Sequence, residues 1–125
     1  MDNKIKNLYD LDAWKKSYVL VLEIYKITKG FPEVEKFGIS SQLRRVASSV
    51  VANIAEGFAR YHFRDKVKFY YQARGSVAEV QTFLLLSKDL NYINLAVCGR
   101  LGEKFNESAK LINGMIRSIE KQINI

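Results

Sequence analysis

Residues 40–60 read SSQLRRVASSVVANIAEGFAR, and the reading of this stretch decides the fold. At about 100° per residue, Leu43, Val46, Ala47, Val50, Ile54 and Phe58 fall on one apolar stripe. Ser48, Ala52, Ala55 and Ala59 make a second stripe of small residues, and Arg45, Ser49, Asn53, Glu56 and Arg60 a third, polar one. This spacing predicts a helix to about Arg60. Ser40 or Ser41 is expected to cap it, because a serine oxygen there accepts an orphan N–H. The small stripe has two readings: close approach of another helix, or a tolerated solvated face.

The same period recurs on both sides of this helix. A first helix is expected from Asp12 to Lys29, with Leu11, Trp14, Tyr18, Val21, Leu22 and Tyr25 on one face. Lys26 and Lys29 suit the negative end of its dipole, and Gly30 and Pro32 stop it before a loop over 31–39. A third helix is expected from Arg64 to Leu90, with a core stripe of Phe69, Ala73, Val77, Val80 and Leu84. Val67, Tyr71, Ala78, Leu85 and Leu86 lie off that stripe. A helix apolar on more than one side is buried on more than one side, which points to a subunit interface. A widened core within the chain is the alternative. A fourth helix is expected over Leu95–Ile123, after a turn at 91–94. Its apolar positions are Val97, Leu101, Phe105, Leu111, Ile112, Met115, Ile119 and Ile123, with irregular first turns at Gly99 and Gly102. No strand signal interrupts the four. Short connections favour antiparallel neighbours, so the predicted fold class is all-α: an antiparallel up-down-up-down four-helix bundle, one domain over 1–125.

Composition narrows the chemistry. The chain has 125 residues, 48% hydrophobic and 26% charged, with one cysteine and one histidine. One cysteine makes no internal disulfide, and one His with one Cys falls short of the three or four ligands of an ordinary zinc site. No metal or cofactor is implied. No apolar run approaches the ~20 residues of a membrane span. Residues Met1 to Lys6 carry no apolar signal core, so a cytoplasmic location is expected. The net charge is +7, and residues 40–74 hold seven Lys and Arg against only Glu56 and Asp65. A surplus confined to one segment suggests a basic face for an anionic partner, the other reading being a solvated surface.

Catalytic constellations are poor. His62 sits among aromatics in the turn after the second helix, where a packing or surface role outweighs that of a general base. Cys98 lies beside Ala96 and Val97, which suits a structural thiol rather than an activated nucleophile. No phosphate loop, dinucleotide fingerprint or nucleophile elbow is present. Asn53 and Glu56 share a helix face, and Arg74 is expected to pair with Glu56 across two helices and set their register, with ligand binding as the alternative. Arg60 is also spaced to pair with Glu56. Arg60, Arg64, Lys66 and Lys68 crowd a stretch interleaved with Tyr61, Phe63, Tyr70 and Tyr71. Cations bind phosphates and aromatic faces stack bases, though the same aromatics also suit a core.

The chain also carries four ordered motifs. They are Leu11-Asp12-Ala13-Trp14, Phe31-Pro32-Glu33 followed by the run from Phe37 to Arg45, Asn53-Ile54-Ala55-Glu56-Gly57, and Ala73-Arg74-Gly75-Ser76. Together they closely resemble the bacterial four-helix-bundle family of proteins encoded by intervening sequences in 23S rRNA genes. The accessory protein of diversity-generating retroelements belongs to the same superfamily. The resemblance implies an antiparallel four-helix subunit of a ring-shaped homopentamer. For the retroelement relative it implies a basic barrel that binds nucleic acid and a reverse transcriptase. It also implies Arg44 and Arg45 as anion contacts, and Asn53, Glu56 and Arg74 as structural polar residues. No catalytic residues carry over.

The functional expectation is a non-enzymatic homo-oligomer that binds RNA or DNA through Arg44, Arg45, Arg60, Arg64, Lys66 and Lys68. The competing expectation is an adaptor that docks a nucleic-acid-handling protein. An enzyme is the third class.

Overall fold

Where each helix starts and stops follows from local chemistry in the computed structural model, which describes residues 5–124. The Met1–Lys4 part of the expected leaderless N-terminus lies outside them. The elements are α1 (Asp12–Thr28), α2 (Ile39–Ala59), α3 (Phe63–Asp89) and α4 (Leu95–Ile123), with short 3-10 turns at Leu8–Asp10 and Glu33–Glu35. Among the described residues there is no strand. The result is an all-α four-helix bundle.

The α2 start differs from the serine cap expected. Gly38 is the N-cap, and the Glu35 side chain accepts the Ile39 N–H at 3.2 Å. Ser40 is already helical and buried. A carboxylate four residues upstream does the capping, because the 3-10 turn at Glu33–Glu35 folds it back over the helix end. Asn94 caps α4, its side chain accepting from the Val97 N–H at 2.8 Å. Between α3 and α4, Asn91 takes a left-handed φ of 65°, which asparagine tolerates better than most residues. Contrary to the irregular turns expected, α4 runs unbroken past Gly99 and Gly102. Packing outweighs the propensity cost of about 1 kcal/mol per glycine.

One hydrophobic core joins all four helices. Leu20, Ile24, Leu43, Ile54, Leu84, Leu101, Phe105 and Ile112 are essentially fully buried. Burial of each such side chain contributes roughly 1.5–3 kcal/mol. The α2 stripe is buried as expected, with Phe58 half-buried. Of the α1 stripe, Leu11 and Val21 are buried and Trp14 is half-buried, but the rest is not. Ala13, Ser17, Leu20, Val21, Ile24 and Thr28 face inward, whereas Tyr18, Leu22 and Tyr25 are exposed. The small side chains let α1 lie close to its neighbours, so the aromatic side turns out. In α3 the inward face is Val67, Tyr70, Ala73, Val77, Val80 and Leu84, and Phe69 is only half-buried.

Specific pairs set the register between helices. Ser49 and Ser76 hydroxyls hydrogen-bond at 2.9 Å between α2 and α3. Lys16 meets Glu107 at 2.8 Å and Arg100 meets Glu23 at 2.7 Å between α1 and α4. Arg74 reaches Asn113 at 3.1 Å and Gln81 reaches Asn106 at 2.7 Å between α3 and α4. In these pairs residue numbers fall along α4 as they rise along α1 and α3.

The expected pairing of Glu56 with Arg74 is absent. The Ser49–Ser76 contact places residue 56 opposite residue 69 or so, well short of Arg74. Glu56 instead accepts from Arg60 on its own helix at 3.2 Å, and Arg74 lies over the Tyr71 ring at 5.3 Å. Asn53 donates to the Ser49 carbonyl at 2.9 Å and to its hydroxyl at 3.0 Å, which extends the Ser49–Ser76 link.

Candidate nucleic-acid interface

The basic residues of 40–74 do not share one face. Arg44 and Arg45 lie near the start of α2, and Arg60 just past its end. Fifteen residues at about 1.5 Å each separate Arg45 from Arg60 by roughly 22 Å. The structure therefore divides the expected site between the two ends of α2.

At the first end, α1 stops and its last carbonyls need partners. The Thr28 hydroxyl donates to the Ile24 carbonyl at 2.8 Å and accepts from Arg44 Nε at 2.7 Å. Arg44 Nη2 donates to the Tyr25 carbonyl at 3.3 Å, and its guanidinium lies 4.7 Å from the Tyr25 ring centroid. Arg44 thus holds the end of α1 on α2. Arg45 meets only the neutral Gln42 oxygen at 2.6 Å, so its charge is uncompensated. A cleft of about 660 Å³ opens here, and Lys29 and Lys36 join Arg44 and Arg45 in lining it. Glu33 is the one acid among the lining residues. Phe37 at its edge is 89% exposed. Glu35 braces the wall from behind, accepting from the Tyr92 hydroxyl at 2.8 Å, and that bond raises the Tyr92 phenol pKa.

At the second end, Lys66 folds back onto the α2 terminus. Its Nζ donates to the Phe58 carbonyl at 2.8 Å and the Gly57 carbonyl at 3.3 Å. Burial lowers its pKa. Lys66 is a helix cap, which corrects its place among the free phosphate contacts. Arg60 is shared between Glu56 and the Phe69 ring, 4.7 Å away. Arg64 and Lys68 are exposed and make no ion pair or hydrogen bond with the described residues. His62 is exposed at the start of α3, edge-on to Tyr61, and its carbonyl accepts from the Asp65 and Lys66 amides.

Cys98 is buried, with its thiol 3.7 Å from the Leu84 carbonyl, as a structural thiol would be. Among the described residues no three His, Cys, Asp or Glu side chains cluster to hold a metal ion. None of their helices is long and apolar enough to cross a membrane.

The expected interface residues also divide. Val67 is 7% exposed and belongs to the core of the chain itself, so it is removed from that set. Its position lines up with the inward face through Tyr70. Tyr71, Ala78, Leu85 and Leu86 are exposed. Tyr71 is engaged within the chain, its hydroxyl donating to Glu120, which raises the phenol pKa. Leu85 and Leu86 stand with exposed Leu90 and Leu95 near the α3–α4 turn. A second apolar face, Tyr18, Val19 and Leu22, is exposed on α1, where Tyr18 stacks on Trp14 at 4.9 Å. The sequence reading missed this face, together with Lys29, Lys36 and Phe37 around the cleft. The signal was the apolar residues on more than one side of α1.

Comparison with known proteins agrees with this architecture. The family model of the 23S rRNA-intervening sequence protein matches residues 9–114. Among solved structures, a protein of unknown function from the S23 ribosomal protein family of Bacteroides thetaiotaomicron superposes with a TM-score of 0.78 at 24% identity. The match covers 84% of this chain and 95% of that one. No curated protein matches the chain. With the helices of the bundle accounted for from Tyr9 to Gly114, the chain belongs to the 23S rRNA-intervening sequence protein family.

Proposed function

We propose that this protein is a non-enzymatic, homo-oligomeric helical bundle that binds RNA or DNA through phosphate contacts. The observation that carries the reading is the set of cations left uncompensated at the two ends of α2. Arg45 has only a neutral partner, Arg64 and Lys68 have none among the described residues, and Lys29 and Lys36 line the same cleft as Arg45. Phosphates supply the missing charge and release counterions, which gives affinity with little choice of sequence. The family's place within 23S rRNA genes favours RNA in the cytoplasm as the first polyanion to try.

The assembly proposed is a ring of antiparallel up-down-up-down subunits, five by the family resemblance. Its support is the presence of two different exposed apolar patches, one on α1 and one at the α3–α4 turn. Unlike patches that meet head to tail close a ring when the rotation permits, whereas a two-fold dimer uses the same patch twice. A ring repeats each basic end around its axis and raises avidity without adding to the contacts of each subunit. Docking of a nucleic-acid-handling protein on the same basic ends is the competing reading.

The test is fluorescence-anisotropy titration with single-stranded RNA, duplex RNA and duplex DNA at about 50 and about 200 mM salt. Binding that weakens steeply with salt is expected. Replacing Arg45, Arg64 and Lys68 together by Ala lowers the slope by roughly one unit for each phosphate that is no longer neutralised. No binding to any of the three at the lower salt overturns the reading.

A further inference from the structure

The cleft between the end of α1 and the start of α2 holds more than charge. Ser40 lines it and is only 8% exposed, yet its hydroxyl has no hydrogen-bond partner among the described residues. Its oxygen still reaches solvent, unlike the sealed and unpartnered Ser17 and Ser108 hydroxyls, so it is free to bond to whatever enters the cleft. The Ser40 and Ser41 amides also lack acceptors. Ile39 N–H is taken by Glu35, and the first backbone bond of the helix runs from Gln42 to Gly38. Ser40 and Ser41, with two free amides and a partnerless hydroxyl, therefore line a cleft of about 660 Å³ at the positive end of a 21-residue helix.

The charge of the cleft selects among anions. Lys29, Lys36, Arg44 and Arg45 line it, against Glu33 in the lining and Glu35 beside it. Four cations against two carboxylates leave a surplus of two. A backbone phosphodiester carries one negative charge and a phosphate monoester near neutral pH carries about two. The exposed Phe37 ring stands at the mouth and offers a face on which a base stacks.

We propose that this cleft binds the terminal phosphate monoester of a single-stranded nucleic acid, with the adjoining base on Phe37. The proposal rests on the nucleic-acid reading above and adds a site and an end group to it. Arg45, Lys29 and Lys36 neutralise the dianion, while the Ser40 and Ser41 amides and the Ser40 hydroxyl donate to its oxygens. Arg44 holds the cleft open by fixing α1 to α2.

The experiment titrates the full-length protein with one short, internally labelled RNA in three forms: 5′-phosphorylated, 3′-phosphorylated, and hydroxyl at both ends. One phosphorylated form is expected to bind about tenfold more tightly than the hydroxyl form, the gain of one strong charge-assisted contact. Arg45→Ala is expected to abolish that preference while lowering binding of the hydroxyl form only by the one phosphate contact it removes, the rest being held at Arg64 and Lys68. Ser40→Ala, which removes one donor and no charge, is expected to reduce the preference and to leave binding of the hydroxyl form unchanged. Equal affinity for all three forms overturns the cleft proposal and leaves the broader reading standing. No binding of any form overturns both. Inorganic phosphate, followed by amide NMR, is the second readout: shifts at Ser40 and Ser41 support the cleft, and shifts confined to the α2–α3 end overturn it.

Discussion

Gly57 of α2 lies directly under the ring of Tyr70 in α3. A Cβ built on Gly57 falls 2.5 Å from Tyr70 Cε1, 2.8 Å from Cδ1 and 3.1 Å from the Lys66 carbonyl oxygen. Only a residue without a side chain lets the ring reach the core there. The Asn-Ile-Ala-Glu-Gly motif at 53–57 therefore ends on a packing requirement, and Lys66 closes the same junction by capping the Gly57 and Phe58 carbonyls.

Gly57→Ala is expected to destabilise the subunit by about 1–3 kcal/mol, since the ring and the α3 backbone have to move. Gly99→Ala is the control. Nothing lies within 4 Å of that Cβ, so the gain in helix propensity, up to about 1 kcal/mol, comes through. Urea denaturation of both variants gives opposite shifts in midpoint. A Gly57→Ala variant as stable as wild type contradicts the close packing.

Burial pushes the Tyr70 phenol up to about 12, from an ordinary 10.0. The folded chain then keeps that proton where the unfolded chain releases it. Stability from Tyr70 is complete below pH 10, falls as the pH rises toward about 12, and levels off above that. Tyr70→Phe is expected to flatten this part of the stability profile. Denaturation midpoints of the two proteins measured across the alkaline range check it, and parallel profiles refute it.

Arg44 makes two hydrogen bonds and a ring contact to the last turn of α1. Arg44→Ala takes the donor from the Thr28 hydroxyl and one of two side-chain donors from the Tyr25 carbonyl, which keeps its bond from Thr28, and is expected to cost about 1–2 kcal/mol. Arg45→Ala is expected to stay within about 0.5 kcal/mol of wild type, as surface changes do. Thermal unfolding of the two variants separates them, and equal destabilisation places both residues in the same role.

Leu22→Glu and Leu86→Glu each put a charge into one of the two exposed apolar patches. Either is expected to break the proposed ring into subunits that stay helical, read by sedimentation velocity and far-ultraviolet circular dichroism. An assembly that survives both changes has its interface elsewhere.

Much of the fold was legible residue by residue. The α2 stripe from Leu43 to Ile54 is aliphatic on one side and polar or small on the others, so its period admits one burial pattern. Gly30 and Pro32 stop α1 by backbone chemistry that acts locally. In α1 the reading failed, because Trp14, Tyr18, Leu22 and Tyr25 form a stripe as regular as Ala13, Ser17, Leu20 and Ile24. Both sides carry large apolar residues, and the bundle buries the one whose small Ala13 and Ser17 let helices approach. The cleft was illegible for another reason. Lys29 and Lys36 lie on α1 and its loop, Arg44 and Arg45 on α2, and nothing in their spacing says that they line one cavity.

The number of helices, nearly all of their limits, the core of α2 and the surplus of positive charge followed from the amino acids alone. Each rests on interactions within a turn or two of chain, where hydrogen-bond geometry and side-chain period act without a partner. Helix packing was needed to show which side of α1 faces inward, that Lys66 caps a helix rather than standing free, that Glu56 and Arg74 lie out of reach, and that the basic residues divide between two ends. Those outcomes depend on the register of one helix on another, and the Ser49–Ser76 contact and the Gly57–Tyr70 packing set that register only when both helices are in place.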